Sequence, residues 1–99
     1  MKILIAGAGV VGTHLAKLLS RENHDIVLVD TNEERLANVE NNFDIMTMNA
    51  SPTSIATLKE AGAGNADLVV GVMEEESRNM TCCMLASKLG AKKTVARVD

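Results

Sequence analysis

The sequence predicts an α/β fold with a doubly wound parallel sheet and helices on both faces. Three observations carry this. Short apolar runs alternate with amphipathic segments along all 99 residues, joined by brief connections. The apolar runs are nearly unbroken, as in Ile3-Leu4-Ile5-Ala6 and Ile26-Val27-Leu28-Val29, which suits strands covered on both sides. Directly behind the first run stands a GxGxxG hexapeptide, Gly7 to Gly12, that opens a helical pattern.

Each element has a local reason. The first strand is about Lys2 to Ala6. The first helix runs from about Val10 to Glu22 and turns Val11, Leu15, Leu18 and Leu19 toward the core. The second strand is Ile26 to Val29, closed by Asp30. Thr31-Asn32-Glu33-Glu34 reads as a capping box for a second helix carrying Leu36, Val39 and Glu40. The third strand spans Phe43 to Met48. Ser51-Pro52 is expected to cap a third helix, with the proline at its first position and with Ile55 and Leu58 facing the core. Gly62 should end that helix in a left-handed conformation. The fourth strand is Asp67 to Val72. The fourth helix is Ser77 to Leu89, stopped by Gly90, and the fifth strand is Thr94 to Val98.

Right-handed crossovers with one reversal give the sheet order 3-2-1-4-5, a Rossmann-like arrangement. A ligand then belongs at the carboxyl ends of strands one and four. The hexapeptide fits that position chemically. Gly7 permits the tight turn, Gly9 lets a pyrophosphate approach the backbone, and Gly12 lets the helix pack close to the sheet. The N–H groups at the helix start face the phosphates. Asp30, 18 positions past Gly12, can accept hydrogen bonds from both ribose hydroxyls. It would repel a 2′-phosphate, and no arginine follows closely to receive one, which favours NAD(H), ATP or ADP over NADP(H).

Composition narrows the rest. Net charge is −3, no basic cluster exceeds Lys92-Lys93, and Phe43 is the only aromatic, so a nucleic-acid surface is not expected. No apolar stretch approaches the ~20 residues that cross a bilayer. Cys82 and Cys83 are neighbours within a helical pattern and read as reduced buried thiols, which points to the cytoplasm. His14 and His24 read as surface residues without a metal partner at ligand spacing. Met46, Met48, Met73, Met80 and Met84 read as core fillers.

Further site candidates follow the strand ends. Asn49 and Ala50 border the expected adenine position, where an amide can both donate and accept. The alternative is that Asn49 turns the chain and Ser51 caps a helix. Val72 and Met73 should pass near the ribose and diphosphate. Glu74-Glu75-Glu76 fits a helix start, where the dipole favours acids. Asn79 either caps or reaches the nucleotide. Arg97, in an otherwise apolar strand, needs a phosphate, an inter-subunit carboxylate or solvent. No catalytic constellation is present.

These residues together resemble the TrkA N-terminal domain family, also called RCK or KTN. The resemblance is carried by Met1 to Gly12, by His24 to Asp30 with Asn32-Glu33-Glu34-Arg35, by Leu58-Lys59-Glu60-Ala61-Gly62-Ala63, by Ala66-Asp67, by Asn79-Met80 and Cys83, and by Lys88 to Val98. It departs at Met48, where the family often has glycine, and at Val10, often polar or basic. It implies a non-enzymatic regulatory domain, cytoplasmic and peripheral to the membrane. Such a domain binds NAD(H) or ATP/ADP, assembles as a dimer or ring, and gates a membrane-embedded potassium-translocating subunit by changing shape. The implied nucleotide site is Gly7, Ala8, Gly9, Val10, Val11, Gly12, Asp30, Thr31, Asn49, Ala50, Val72, Met73 and Arg97. The stop directly after strand five suggests one domain, 1–99, shortened at its C-terminal end. The competing reading is the cofactor half of an NAD-dependent oxidoreductase, which a substrate domain beyond Asp99 would support.

Overall fold

A computed structural model describes residues 1–40 and 44–98, with Glu40 described by its backbone alone. The elements are β1 (Lys2–Ala6), α1 (Val10–Ser20), β2 (Asp25–Asp30), α2 (Glu33–Glu40), β3 (Met46–Asn49), α3 (Ile55–Glu60), a 3-10 turn (Ala63–Asn65), β4 (Leu68–Gly71), α4 (Glu76–Leu89) and β5 (Thr94–Ala96). The five strands form one sheet in the order β3-β2-β1-β4-β5. All neighbours pair in parallel, with Ile5 opposite Leu28 on one side and Val70 on the other. The sheet is the predicted one. The expected start of the third strand at Phe43 lies outside the described residues.

Alternation along β1 builds two cores. Ile3 and Ile5 point to one face, where they meet Ile26, Leu28, Ala16, Leu36 and Val39. Leu4 and Ala6 point to the other, with Val29, Leu58, Val69, Cys82 and Ala86. Period-two side chains on a sheet covered on both faces produce this pair of layers.

Several sequence expectations are corrected. The inner face of α1 is Gly12, Leu15, Ala16 and Leu19, whereas Val11 and Leu18 are exposed. Close contact with the Gly7 backbone turns Gly12 inward and sets that face of the helix toward the sheet. Asn32, not Thr31, caps α2: its Oδ1 accepts from the Arg35 N–H at 3.2 Å. Ser54, not Ser51, caps α3, accepting from the Thr57 N–H. Ser51 and Pro52 form a turn ahead of it, closed by the Ser54 N–H on the Ser51 carbonyl at 3.2 Å. The later start leaves Ile55 exposed while Leu58 is buried. Met46, Met80 and Met84 are exposed, because they sit on an edge strand and on the outer face of α4. Met48 and Met73 pack against the core as expected. Gly62 and Gly90 are left-handed, as the helix-stop reading requires.

Candidate functional site

The carboxyl end of β1 turns sharply into α1. Gly7 has φ +114°, and a Cβ there would lie 3.0 Å from the Val72 backbone. A Cβ on Gly12 would lie 1.8 Å from the Gly7 carbonyl oxygen. The fold itself therefore requires glycine at both ends of the motif. Gly9 differs. Its φ is −74°, open to any residue, and the nearest atom to an added Cβ is an Arg35 guanidinium nitrogen at 4.0 Å. Nothing in the packing excludes a side chain at Gly9; what a side chain would obstruct is the space above the loop.

That space lies at the start of α1. Gly9 is the helix N-cap, no side chain caps the helix, and no acid occupies its first turn. The first N–H groups of a helix have no intrahelical partner, and the dipole places partial positive charge there. A phosphate fits this chemistry.

Asp30 ends β2 beside the loop. One carboxylate oxygen accepts from the Ala8 N–H at 2.6 Å, and the other accepts from the Asn32 N–H at 2.7 Å. The carboxylate thus fastens the glycine loop to the turn after β2. Each oxygen keeps a further lone pair, so the group could also accept from ribose hydroxyls. At the neighbouring strand end the Ala50 N–H donates to the Asp30 carbonyl at 3.1 Å. The Asn49 amide nitrogen donates to the carbonyls of Thr31 at 3.0 Å and Asp30 at 3.3 Å in the amide orientation its surroundings require. Asn49 therefore turns and ties the chain, while its amide oxygen stays available as an acceptor.

The opposite wall is the loop after β4, and Asn79 holds it. Asn79 is buried, accepts from the Met73 N–H at 2.6 Å, and donates to the carbonyls of Met73 at 2.9 Å and Arg97 at 3.2 Å. Its role is structural, fixing Met73 against the loop. Glu75 stands at the N-cap position of α4 without a side-chain capping bond, and Glu76 occupies its first turn, as the acidic run suggested. Glu74 is left exposed at the mouth.

Two connected hollows meet here. An inner one of about 130 Å³ is lined by Gly7, Gly9, Asp30, Arg35, Val72 and Met73, with Glu74 at its rim. An outer one of about 500 Å³ runs between α1 and α2, past Ala8, Val10, Thr13, His14, Lys17 and Arg35. A separate hollow of about 190 Å³ lies at the amino ends of the strands, beside Lys2, Asp25 and Gly62. The structure gathers Gly7, Ala8, Gly9, Val10, Asp30, Val72 and Met73 around one space. Val11, Gly12, Thr31, Asn49, Ala50 and Arg97 do not line it. Gly12 and the Asn49–Ala50 pair support it from behind. Arg97 continues the sheet beyond β5, its N–H donating to the Gly71 carbonyl at 2.9 Å.

Sequence reasoning missed Arg35. The expectation that no arginine follows Asp30 closely is overturned: Nη1 of Arg35 lies 4.0 Å from the Asp30 carboxylate, and Nη2 lies 3.9 Å from that of Glu74. The signal was one helical turn past the Asn32 cap, where a long side chain reaches back over the loop. His14, read from the sequence as a surface residue, and Lys17, which the sequence did not single out, both border the outer hollow.

Sheet order and the glycine turn from β1 into α1 define this as a Rossmann-like α/β domain. The chain belongs to the TrkA-N domain family, whose model matches residues 3–99. It is 40% identical over 99 residues to the Trk system potassium uptake protein TrkA of Vibrio alginolyticus, covering 99% of this chain and 22% of that protein. The chain thus spans about a fifth of the length of that curated relative. Among solved structures it is similar to the GsuK channel bound to NAD, with a TM-score of 0.83 and 22% identity over 96% of this chain and 17% of that one. It is likewise similar to the Kef C-terminal domain of Shewanella denitrificans in an AMP-bound form, with a TM-score of 0.81 and 22% identity over 99% of this chain and 58% of that one. At that identity these two likenesses concern the fold. No described helix is long and apolar enough to cross a membrane.

Proposed function

We propose that this chain is a nucleotide-sensing regulatory domain of a Trk-type potassium uptake system. It binds NAD(H) or ATP/ADP, performs no chemistry on the nucleotide, and acts on a membrane-embedded potassium-translocating partner as part of a dimer or ring. The observation that carries this reading is Gly9, a glycine the fold does not need, set over an uncapped helix start beside a buried aspartate. Family membership and the names of the relatives supply the potassium context. Phosphates would meet the N–H groups of Val10 and Val11, the ribose would meet Asp30, and the adenine would lie toward Thr31, Asn49 and Ala50. Arg97, at the carboxyl end of the sheet, would serve a phosphate or a neighbouring subunit. A ligand shifts such an assembly only as far as it binds one shape better than another.

Calorimetric titration of the chain with NAD, NADH, ADP and ATP tests the binding step. Saturable binding is expected, weakened about tenfold or more by Asp30→Asn, whose amide cannot accept at both positions. Absence of binding by all four would overturn the reading. For the sensing step, identical effects of NAD and NADH, and of ATP and ADP, on transport by the full assembly would remove it.

A further inference from the structure

We infer that Arg35 is a phosphate ligand held in reserve by two carboxylates, and that nucleotide binding proceeds by exchanging Glu74 for a diphosphate on its guanidinium. This rests on the proposed nucleotide site and names the group that discriminates within it. The guanidinium spans the cleft mouth, with Nη1 4.0 Å from Asp30 and Nη2 3.9 Å from Glu74. It also stands 4.0 Å from where a Cβ on Gly9 would be, so it overhangs the one loop position left open. Any diphosphate laid over Gly9 comes within reach of Arg35.

Both ion pairs are long for hydrogen bonds, and the Arg35 side chain is 45% exposed and that of Glu74 89% exposed. Such pairs are weak and salt-screened. A phosphate offers the fork-shaped guanidinium two short, charge-assisted bonds instead. The exchange is therefore favourable for Arg35 and leaves Glu74 facing negative charge without its partner. Glu74 is attached to Met73, which Asn79 ties to the Arg97 carbonyl at the end of β5. Release of Glu74 thus loads the segment that joins the cleft to the far edge of the sheet. Asp30 keeps its two backbone donors throughout, so the ribose position is not disturbed by the exchange.

The exchange gives opposite signs for its two partners. In titrations with AMP and ADP, Arg35→Gln should lower ADP affinity about tenfold or more while lowering AMP affinity much less. Glu74→Gln should raise ADP affinity by about two- to fivefold at low salt, and the gain should shrink at 0.5 M salt. Circular dichroism is the check that both variants fold. Equal loss of AMP and ADP in Arg35→Gln would overturn the inference, as would unchanged or weakened ADP binding in Glu74→Gln. If the unaltered chain binds neither AMP nor ADP, this inference fails; the functional proposal fails with it only if NAD, NADH and ATP do not bind either. If it binds both but the variants lack these signs, only the exchange fails.

Discussion

A methyl group added at each glycine of the loop separates fold from function. At Gly12 it would collide with the Gly7 carbonyl at 1.8 Å, so Gly12→Ala should destabilise the domain by about 3 kcal/mol or more through overpacking. At Gly9 it would meet only the Arg35 guanidinium at 4.0 Å, an ordinary contact, and alanine is merely a poorer N-cap than glycine. Gly9→Ala should therefore keep stability within about 1 kcal/mol of the original while weakening NAD binding about tenfold or more. Urea unfolding and calorimetry on both variants measure the contrast. A Gly9→Ala protein as unstable as Gly12→Ala would remove the argument that Gly9 serves a ligand. Both Asp30 oxygens already hold backbone N–H groups, so this residue shapes the loop whether or not a nucleotide is present.

Among the elements, α4 does the most to fix the site's far wall. Its first turn carries Asn79, whose amide satisfies backbone groups of the loop after β4 and of the strand edge. Gly71 lies beneath it, where a Cβ would come within 3.1 Å of the Asn79 backbone, so helix and strand touch without a side chain between them. Asn79→Ala should leave the part-buried Met73 N–H without its acceptor and cost about 1–3 kcal/mol. It should also weaken nucleotide binding, because Met73 lines the inner hollow. Denaturant melts with parallel titrations check both effects. A variant of unchanged stability would show that water replaces the amide at no cost. The element boundaries explain why Ser51 misleads in the sequence: Ser51, Thr53 and Ser54 all offer hydroxyls, and only backbone direction selects Ser54 as the cap.

For the molecule as a whole, the two cores make good indicators of opening. Burial, with the neighbouring Cys83 thiol adding to it, pushes the Cys82 thiol up to about 12, and burial raises Cys83 as well. A thiol raised in the folded state adds stability below its ordinary value of 9.0, and this is lost as pH climbs from there toward about 12. At pH 8 neither thiol should react quickly with iodoacetamide in the native protein, and both should react in urea. Labelling of Cys82 should then track opening of the core, and bound NAD should slow it by mass action. Rapid labelling of Cys82 in the folded chain would show that α4 opens apart from the sheet.

By itself the sequence determined the architecture. Alternating apolar and amphipathic runs, with glycines at the turns, specify elements whose order and handedness leave few topologies, and 3-2-1-4-5 is the one formed. It also determined the glycine turn and the acid that fastens it, because a tight strand-to-helix turn demands a local spacing. Only the tertiary structure decided which helix residues turn inward, since close packing at Gly12 selects Leu15, Ala16 and Leu19 over Val11 and Leu18. Only it could assign Asn79 a structural duty and bring Arg35 over Gly9 against Asp30 and Glu74. Those residues are separated along the chain and meet because parallel strands deliver their ends to one edge. Periodicity records the face of an element, not what arrives opposite it.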